Sequence, residues 1–153
     1  MFDTSSFRVL GNYYPEQFPS FWEMFNDLVS DGRIVSVREV LNELELQSTK
    51  AHLDEWVQKN KTVFLPPSAV ETEFVSEIFE VTHFRQLVST GNVLKGRPVA
   101  DPFVVAAANA RGACAVTEES MRENAAKIPN VCNHFGIEWT NVEGLMKREG
   151  WAF

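Results

Sequence analysis

ADPFVVAAANARGACAVTEE, residues 100–119, holds a helix start, a helix body, a strand and an acidic pair in close succession. Asp101-Pro102 reads as an N-cap followed by proline at the first helical position, where its missing N–H is not needed. The small residues Ala106, Ala107, Ala108 and Ala110 predict close packing of that helix against a sheet. Ala113 to Thr117 reads as a strand and runs into Glu118-Glu119. Helices alternating with strands build a parallel sheet, and the carboxyl edge of such a sheet is where ligands gather.

Working outward, the same alternation continues. Met1-Phe2 is a minimal strand, and Asp3 to Ser6 is turn-like. A helix is predicted from about Pro19 to Ser30, because Phe18, Phe21, Trp22, Phe25, Leu28 and Val29 recur at three- and four-residue intervals. Asp31-Gly32 closes it. Arg33 to Val35 reads as a short strand, and Ser36 as the N-cap of a helix with Glu39 completing a capping box. A further helix is expected from about Thr49 to Gln58, then a strand from Thr62 to Leu65 that Pro66-Pro67 ends. One long helical pattern spans Ser68 to Ser89, and Gly91 to Ala100 reads as a loop or flap. Beyond Glu119, Pro129 to Phe135 predicts a short helix, Ile137 to Thr140 a strand and Asn141 to Glu149 a last helix. The expectation is one α/β domain over residues 1–153, its parallel sheet covered on both faces.

Composition supports a packed core: 44% of the 153 residues are hydrophobic, with twelve Phe and four Trp. The longest apolar run, Pro102 to Ala108, is far short of the ~20 residues that span a bilayer. Met1-Phe2-Asp3 does not open a secretory signal, so a cytoplasmic protein with no membrane partner is expected. Cys114 and Cys132 lack zinc-site spacing and read as small core residues. A net charge of −7 argues against a nucleic-acid partner, which usually leaves a basic footprint.

That argument weakens if carboxylates are grouped around cations. Asp3, Glu43, Asp101 and Glu119 each fall where a strand ends or a helix begins, so the fold can bring them to one edge. Without these four the net charge is −7 + 4 = −3. Carboxylates gathered there repel one another unless a hard cation such as Mg²⁺ or Mn²⁺ sits between them, as in metal-dependent phosphodiester cleavage. Each acid alone has a plainer reading: Asp101 as an N-cap, Glu43 as a solvated helical carboxylate, Glu118 and Glu119 as exposed caps. His52, His83 and His134 show neither metal-ligand spacing nor an acid–base partner. Lys127 precedes a helix N-terminus that could help hold phosphate. Lys95, Arg97 and Arg122 are scattered cations that could touch a substrate, against the plainer reading of solvated surface.

Four stretches in register carry a resemblance: DTSS at Asp3–Ser6, VLNEL at Val40–Leu44, ADPFVVAAA at Ala100–Ala108 and AVTEES at Ala115–Ser120. They resemble the PIN domains, small metal-dependent ribonucleases that include VapC-like toxins of toxin–antitoxin pairs. KIPNVCNHFGIEW, Lys127–Trp139, looks like a PIN-like subfamily catalogued as a domain of unknown function. The resemblance implies a three-layer α/β/α fold with a central, mainly parallel twisted sheet. It also implies Asp3, Glu43, Asp101 and Glu119 as catalytic metal ligands for Mg²⁺ or Mn²⁺, with Glu118 competing for the fourth place. Thr4 or Ser5 would bond the first carboxylate, Thr117 would support the fourth, and Ser5, Thr117 and Lys127 would lie along the substrate. The implied activity is endoribonucleolytic, with RNA as substrate, an antitoxin as partner and a possible homodimer. The alternative is a PIN-like module that binds RNA or protein without cleaving. In this chain only Met1 and Phe2 precede the first acid.

Overall fold

The computed structural model describes every residue except 48, 89–90, 92–93 and 97–98. Eight α-helices among the described residues are α1 Thr4–Leu10, α2 Pro19–Ser30, α3 Arg38–Leu46, α4 Ala51–Lys59, α5 Ala69–Glu80, α6 Asp101–Arg111, α7 Ile128–Phe135 and α8 Val142–Glu149. Four two-residue strands accompany them: β1 Ser36–Val37, β2 Phe64–Leu65, β3 Ala115–Val116 and β4 Trp139–Thr140. The architecture is α/β, with β1 parallel to β2 and β3 parallel to β4.

The amino-terminal residues lie between these pairs. Phe2 N donates to Val35 O at 2.9 Å, while Val116 N donates to Met1 O at 2.7 Å and Asp3 N to Val116 O at 3.0 Å. Ser36 Oγ adds a bond to Phe2 O at 2.7 Å. These bonds anchor the chain ahead of Asp3 on both sides.

The turn expected at Asp3–Ser6 is instead the start of α1. Asp3 caps it by accepting from Ser6 N, and its fully buried Phe7 and Leu10 supply the tertiary contacts that a seven-residue helix needs. Phe7 packs against Phe2, Phe64 and Trp56 with ring centroids 5.4, 5.2 and 5.9 Å away. Of the predicted α2 stripe, Phe21, Trp22, Phe25 and Leu28 are buried, whereas Val29 is half-buried and Phe18, at the cap position where the helix only begins, is exposed.

Several boundaries move. Ser36 is a strand residue whose hydroxyl is engaged by Phe2 O, so Val37 takes the cap position of α3 without a side-chain bond. Glu39 consequently closes no box and pairs with Arg38 at 2.9 Å. The strand expected at Arg33–Val35 lies at Ser36–Val37, and that expected from Thr62 begins at Phe64 after a 3₁₀ turn. The strands expected over Ala113–Thr117 and Ile137–Thr140 contract to two residues each.

The long helix predicted from Ser68 breaks at Val81, whose backbone is extended, and continues as a 3₁₀ turn over Thr82–Leu87. The adjacent β-branched Val81-Thr82 pair has low helix propensity. A capping box does exist here, between Ser68 and Glu71. Buried Glu71 also reaches Arg111 of α6 at 3.7 Å.

In α6 the cap is Ala100, which makes Asp101 the first helical residue rather than the cap. Ala106, Ala107 and Ala108 are buried, but the close partner is chiefly α5 rather than a sheet, with lesser packing on β1 and α7, and Ala110 faces solvent. Within the expected Gly91–Ala100 loop, residues 92–93 and 97–98 lie outside the described residues, Arg97 among them. Cys114 and Cys132 are free thiols, and among the described residues no helix is long and apolar enough to cross a membrane.

Candidate active site

Each of the four acids comes from a different part of the chain. Asp3 follows the amino-terminal bridge, Glu43 lies on α3, Asp101 opens α6 and Glu119 follows β3. Asp3 is 4% exposed and heavily bonded: Ser6 N donates to its Oδ1 at 2.8 Å, Thr117 Oγ1 to its Oδ2 at 2.7 Å, and Ser5 Oγ reaches both oxygens at 2.9 and 2.8 Å. Burial pushes this carboxyl above its ordinary range, and those bonds oppose the rise. Glu43 is fixed by Thr4 Oγ1, which donates to Oε2 at 2.5 Å, and by Ala100 N, which donates to Oε1 at 3.0 Å. That second bond ties α3 to the residue just before Asp101.

Glu119 accepts from Lys127 Nζ and from Ile128 N, both at 2.8 Å. Its carboxylate therefore sits at the N-terminus of α7, where backbone N–H groups and the helix dipole favour negative charge. Glu118 turns to the N-terminus of α8, accepting from Val142 N at 2.8 Å. Neighbouring glutamates thus serve separate helices.

Asp101 differs from the other three. Among the described residues its carboxylate has no hydrogen-bond partner, because the cap position belongs to Ala100 and Asp101 points elsewhere. Burial, followed by the charges of Glu119, Glu43 and Asp3, pushes its pKa up to about 7, while Lys127 opposes the shift. All four predicted acids are therefore near enough to act on one group. Glu118 is absent from the charges that act on it, which distinguishes it from Glu119.

The supporting residues differ from expectation in detail. Ser5 bonds the first carboxylate, whereas Thr4 bonds the second. Fully buried Thr117 supports Asp3 through its hydroxyl and touches the fourth acid only by accepting from Glu119 N at 3.1 Å. Ser5 Oγ also accepts from Glu118 N at 2.9 Å, so one hydroxyl joins the first acid to the β3 loop. Lys127 is engaged by Glu119, while Lys95 and Arg122 are exposed. Sequence reading missed Ala100 N and Ile128 N, backbone donors that no residue-type pattern reveals.

The chain belongs to a family described as a domain of unknown function, DUF4411. That family's model matches residues 1–153. No curated protein matches the chain. No solved structure matches it either.

The four acids of this DUF4411 site offer oxygen ligands that suit a hard cation, and the like-charge load on Asp101, which Lys127 only partly offsets, is what a cation would relieve. Among the described residues no three His, Cys, Asp or Glu side chains converge as a ready coordination shell. Mg²⁺ needs only one or two carboxylates, with water and substrate phosphate completing its shell. A cavity of about 420 Å³ borders the site, lined by Glu118, Glu119, Ser120, Trp139 and Thr140 among others, and gives room beside the fourth acid.

Proposed function

We propose that this protein is a divalent-metal-dependent endoribonuclease of PIN-like architecture, the toxin of a type II toxin–antitoxin pair. The observation that carries the reading is Asp101: a half-buried carboxylate without a hydrogen-bond partner among the described residues, loaded by three acids from distant parts of the chain. Working sites are where burial and like charges are arranged to shift carboxyl groups in this way. The parallel pairing of β1 with β2 and of β3 with β4, with Met1–Asp3 bonded to both sides, supports the finer proposal of a three-layer fold around one twisted sheet.

Asp3, Glu43, Asp101 and Glu119 would hold Mg²⁺ or Mn²⁺. The cation supplies charge neutralisation at the phosphate and activation of water for in-line attack. Ser5 and Thr117 orient Asp3, Thr4 and Ala100 N orient Glu43, and the α7 N-terminus orients Glu119. Lys127, at the same helix start, would meet an RNA phosphate once its glutamate is engaged. A cytoplasmic location, a neutralising antitoxin over the acidic edge and homodimerisation belong to the same proposal.

The test is cleavage of a mixed single-stranded and transfer RNA pool with Mn²⁺, Mg²⁺ or chelator, alongside Asp101→Asn. Metal-dependent products that vanish in the folded variant are expected. A folded wild-type protein that binds RNA but yields no products overturns the reading. It would favour a non-catalytic PIN-like module that binds RNA or protein, a reading supported by the hydrogen bonds that already satisfy Asp3, Glu43 and Glu119.

A further inference from the structure

A separate cavity of about 460 Å³ is lined by the same loop and helix that carry Glu119 and Lys127. Its wall includes His83 and Phe84 from the 3₁₀ turn, Met121 from the loop after β3, and Asn130, Asn133 and His134 from α7. Two side-chain atoms of these residues, His83 Nε2 and Asn130 Oδ1, are buried without a hydrogen-bond partner among the described residues. Such atoms are costly to leave unpaired and call for a ligand or solvent partner. Asn130 cannot turn its amide freely, because Nδ2 donates to Arg122 O at 2.7 Å, so the unpaired atom is an acceptor. Asn133 is also spoken for: it donates to Met121 Sδ and accepts from Trp139 Nε1. Phe84 and His134 meet edge to face with centroids 5.2 Å apart and give the wall an aromatic surface. Met121 is 50% exposed and lines the same cavity with its unbranched, polarizable side chain.

We propose that this cavity is a subsite for one unstacked nucleobase whose pairing edge presents an amino donor beside a ring-nitrogen acceptor, as adenine and cytosine do. The amino group donates to Asn130 Oδ1, and His83 Nε2–H donates to the ring nitrogen. In the same orientation uracil and guanine present the reverse order, a carbonyl beside an N–H, and meet the pair acceptor to acceptor at Asn130 and donor to donor at His83. Splayed bases held against aromatic rings and read on their pairing edges are the usual basis of sequence preference for single-stranded RNA. The proposal rests on the ribonuclease reading for its ligand, and its chemistry is separate from that of the acidic cluster.

The experiment is fluorescence anisotropy of six-nucleotide oligo(A), oligo(C) and oligo(U) with the full chain in chelator, so that cleavage plays no part. Wild type should bind oligo(A) or oligo(C) about tenfold more tightly than oligo(U), the order of discrimination one well-made base contact gives. Asn130→Ala and His83→Phe should each reduce that ratio several-fold while leaving oligo(U) affinity unchanged; His83→Phe keeps the ring and serves if Asn130→Ala loosens the loop at Arg122. Equal affinity for all three oligonucleotides overturns the subsite, as does a ratio that survives both substitutions. A base preference without metal-dependent cleavage sustains the subsite and sinks the nuclease, and cleavage without a preference does the reverse.

Discussion

Replacing Asp101 by Asn should make the metal-free protein more stable. The carboxyl is pushed up to about 7 from an ordinary 3.8 by burial and by three like charges. In the folded chain Asp101 therefore keeps its proton between pH 4 and 7, where the unfolded chain has released it. The folded state binds more protons in that window, so stability falls as pH rises from about 4 through 7 and levels off above. A shift of about three units corresponds to a ceiling of about 4 kcal/mol at pH 8. Side-chain relaxation and mobile counter-ions reduce this, and the amide that replaces the carboxyl adds its own desolvation cost, leaving an expected gain of ~1–2 kcal/mol. For a chain of this length that is ~2–8 °C in the midpoint of thermal unfolding. The assay is thermal and urea unfolding of both proteins in chelator at pH 4.5 and pH 8. The gain should appear at pH 8 and nearly vanish at pH 4.5. Excess Mn²⁺ should then stabilise wild type, by about 2.7 kcal/mol at a hundred times its dissociation constant, and the variant much less. A variant less stable than wild type at pH 8, or a difference independent of pH, would falsify the electrostatic account of Asp101.

The two adjacent glutamates should separate by phenotype. Glu119→Gln should lower Mn²⁺ affinity, read by calorimetry, together with RNA cleavage. Glu118→Ala should leave both near wild type and cost ~1 kcal/mol of stability through loss of the acceptor at Val142 N; the opposite assignment of phenotypes would make Glu118 the fourth acid. In the core, Phe7→Ala removes a fully buried ring packed on Phe2, Phe64 and Trp56, and should cost ~3–5 kcal/mol in urea unfolding. A loss below about 1 kcal/mol would mean that α1 is not held by that aromatic cluster.

How much could be read from sequence depended on whether the deciding contact was local. The helix over Pro19–Ser30 was legible because its apolar stripe and closing Asp31-Gly32 are complete within it. The seven residues of α1 were not, since Phe7 and Leu10 define no period and the helix depends on burial beside Phe2 and Trp56. Ser36 shows the same limit in reverse: a good local cap is overridden when Phe2 O competes for its hydroxyl. At the site, the proximity of Asp3, Glu43, Asp101 and Glu119 followed from their placement at element ends, but the choice between Glu118 and Glu119 depended on which helix N-terminus each reaches. The most telling difference is the one-residue shift at α6. Sequence alone read Asp101 both as a cap, with its charge directed at the backbone, and as a member of the acidic group; the fold gives the cap to Ala100 and leaves that charge facing three other carboxylates. A residue that abandons a favourable local role for an electrostatically costly one destabilises the metal-free fold, and natural chains retain such departures chiefly where function requires them.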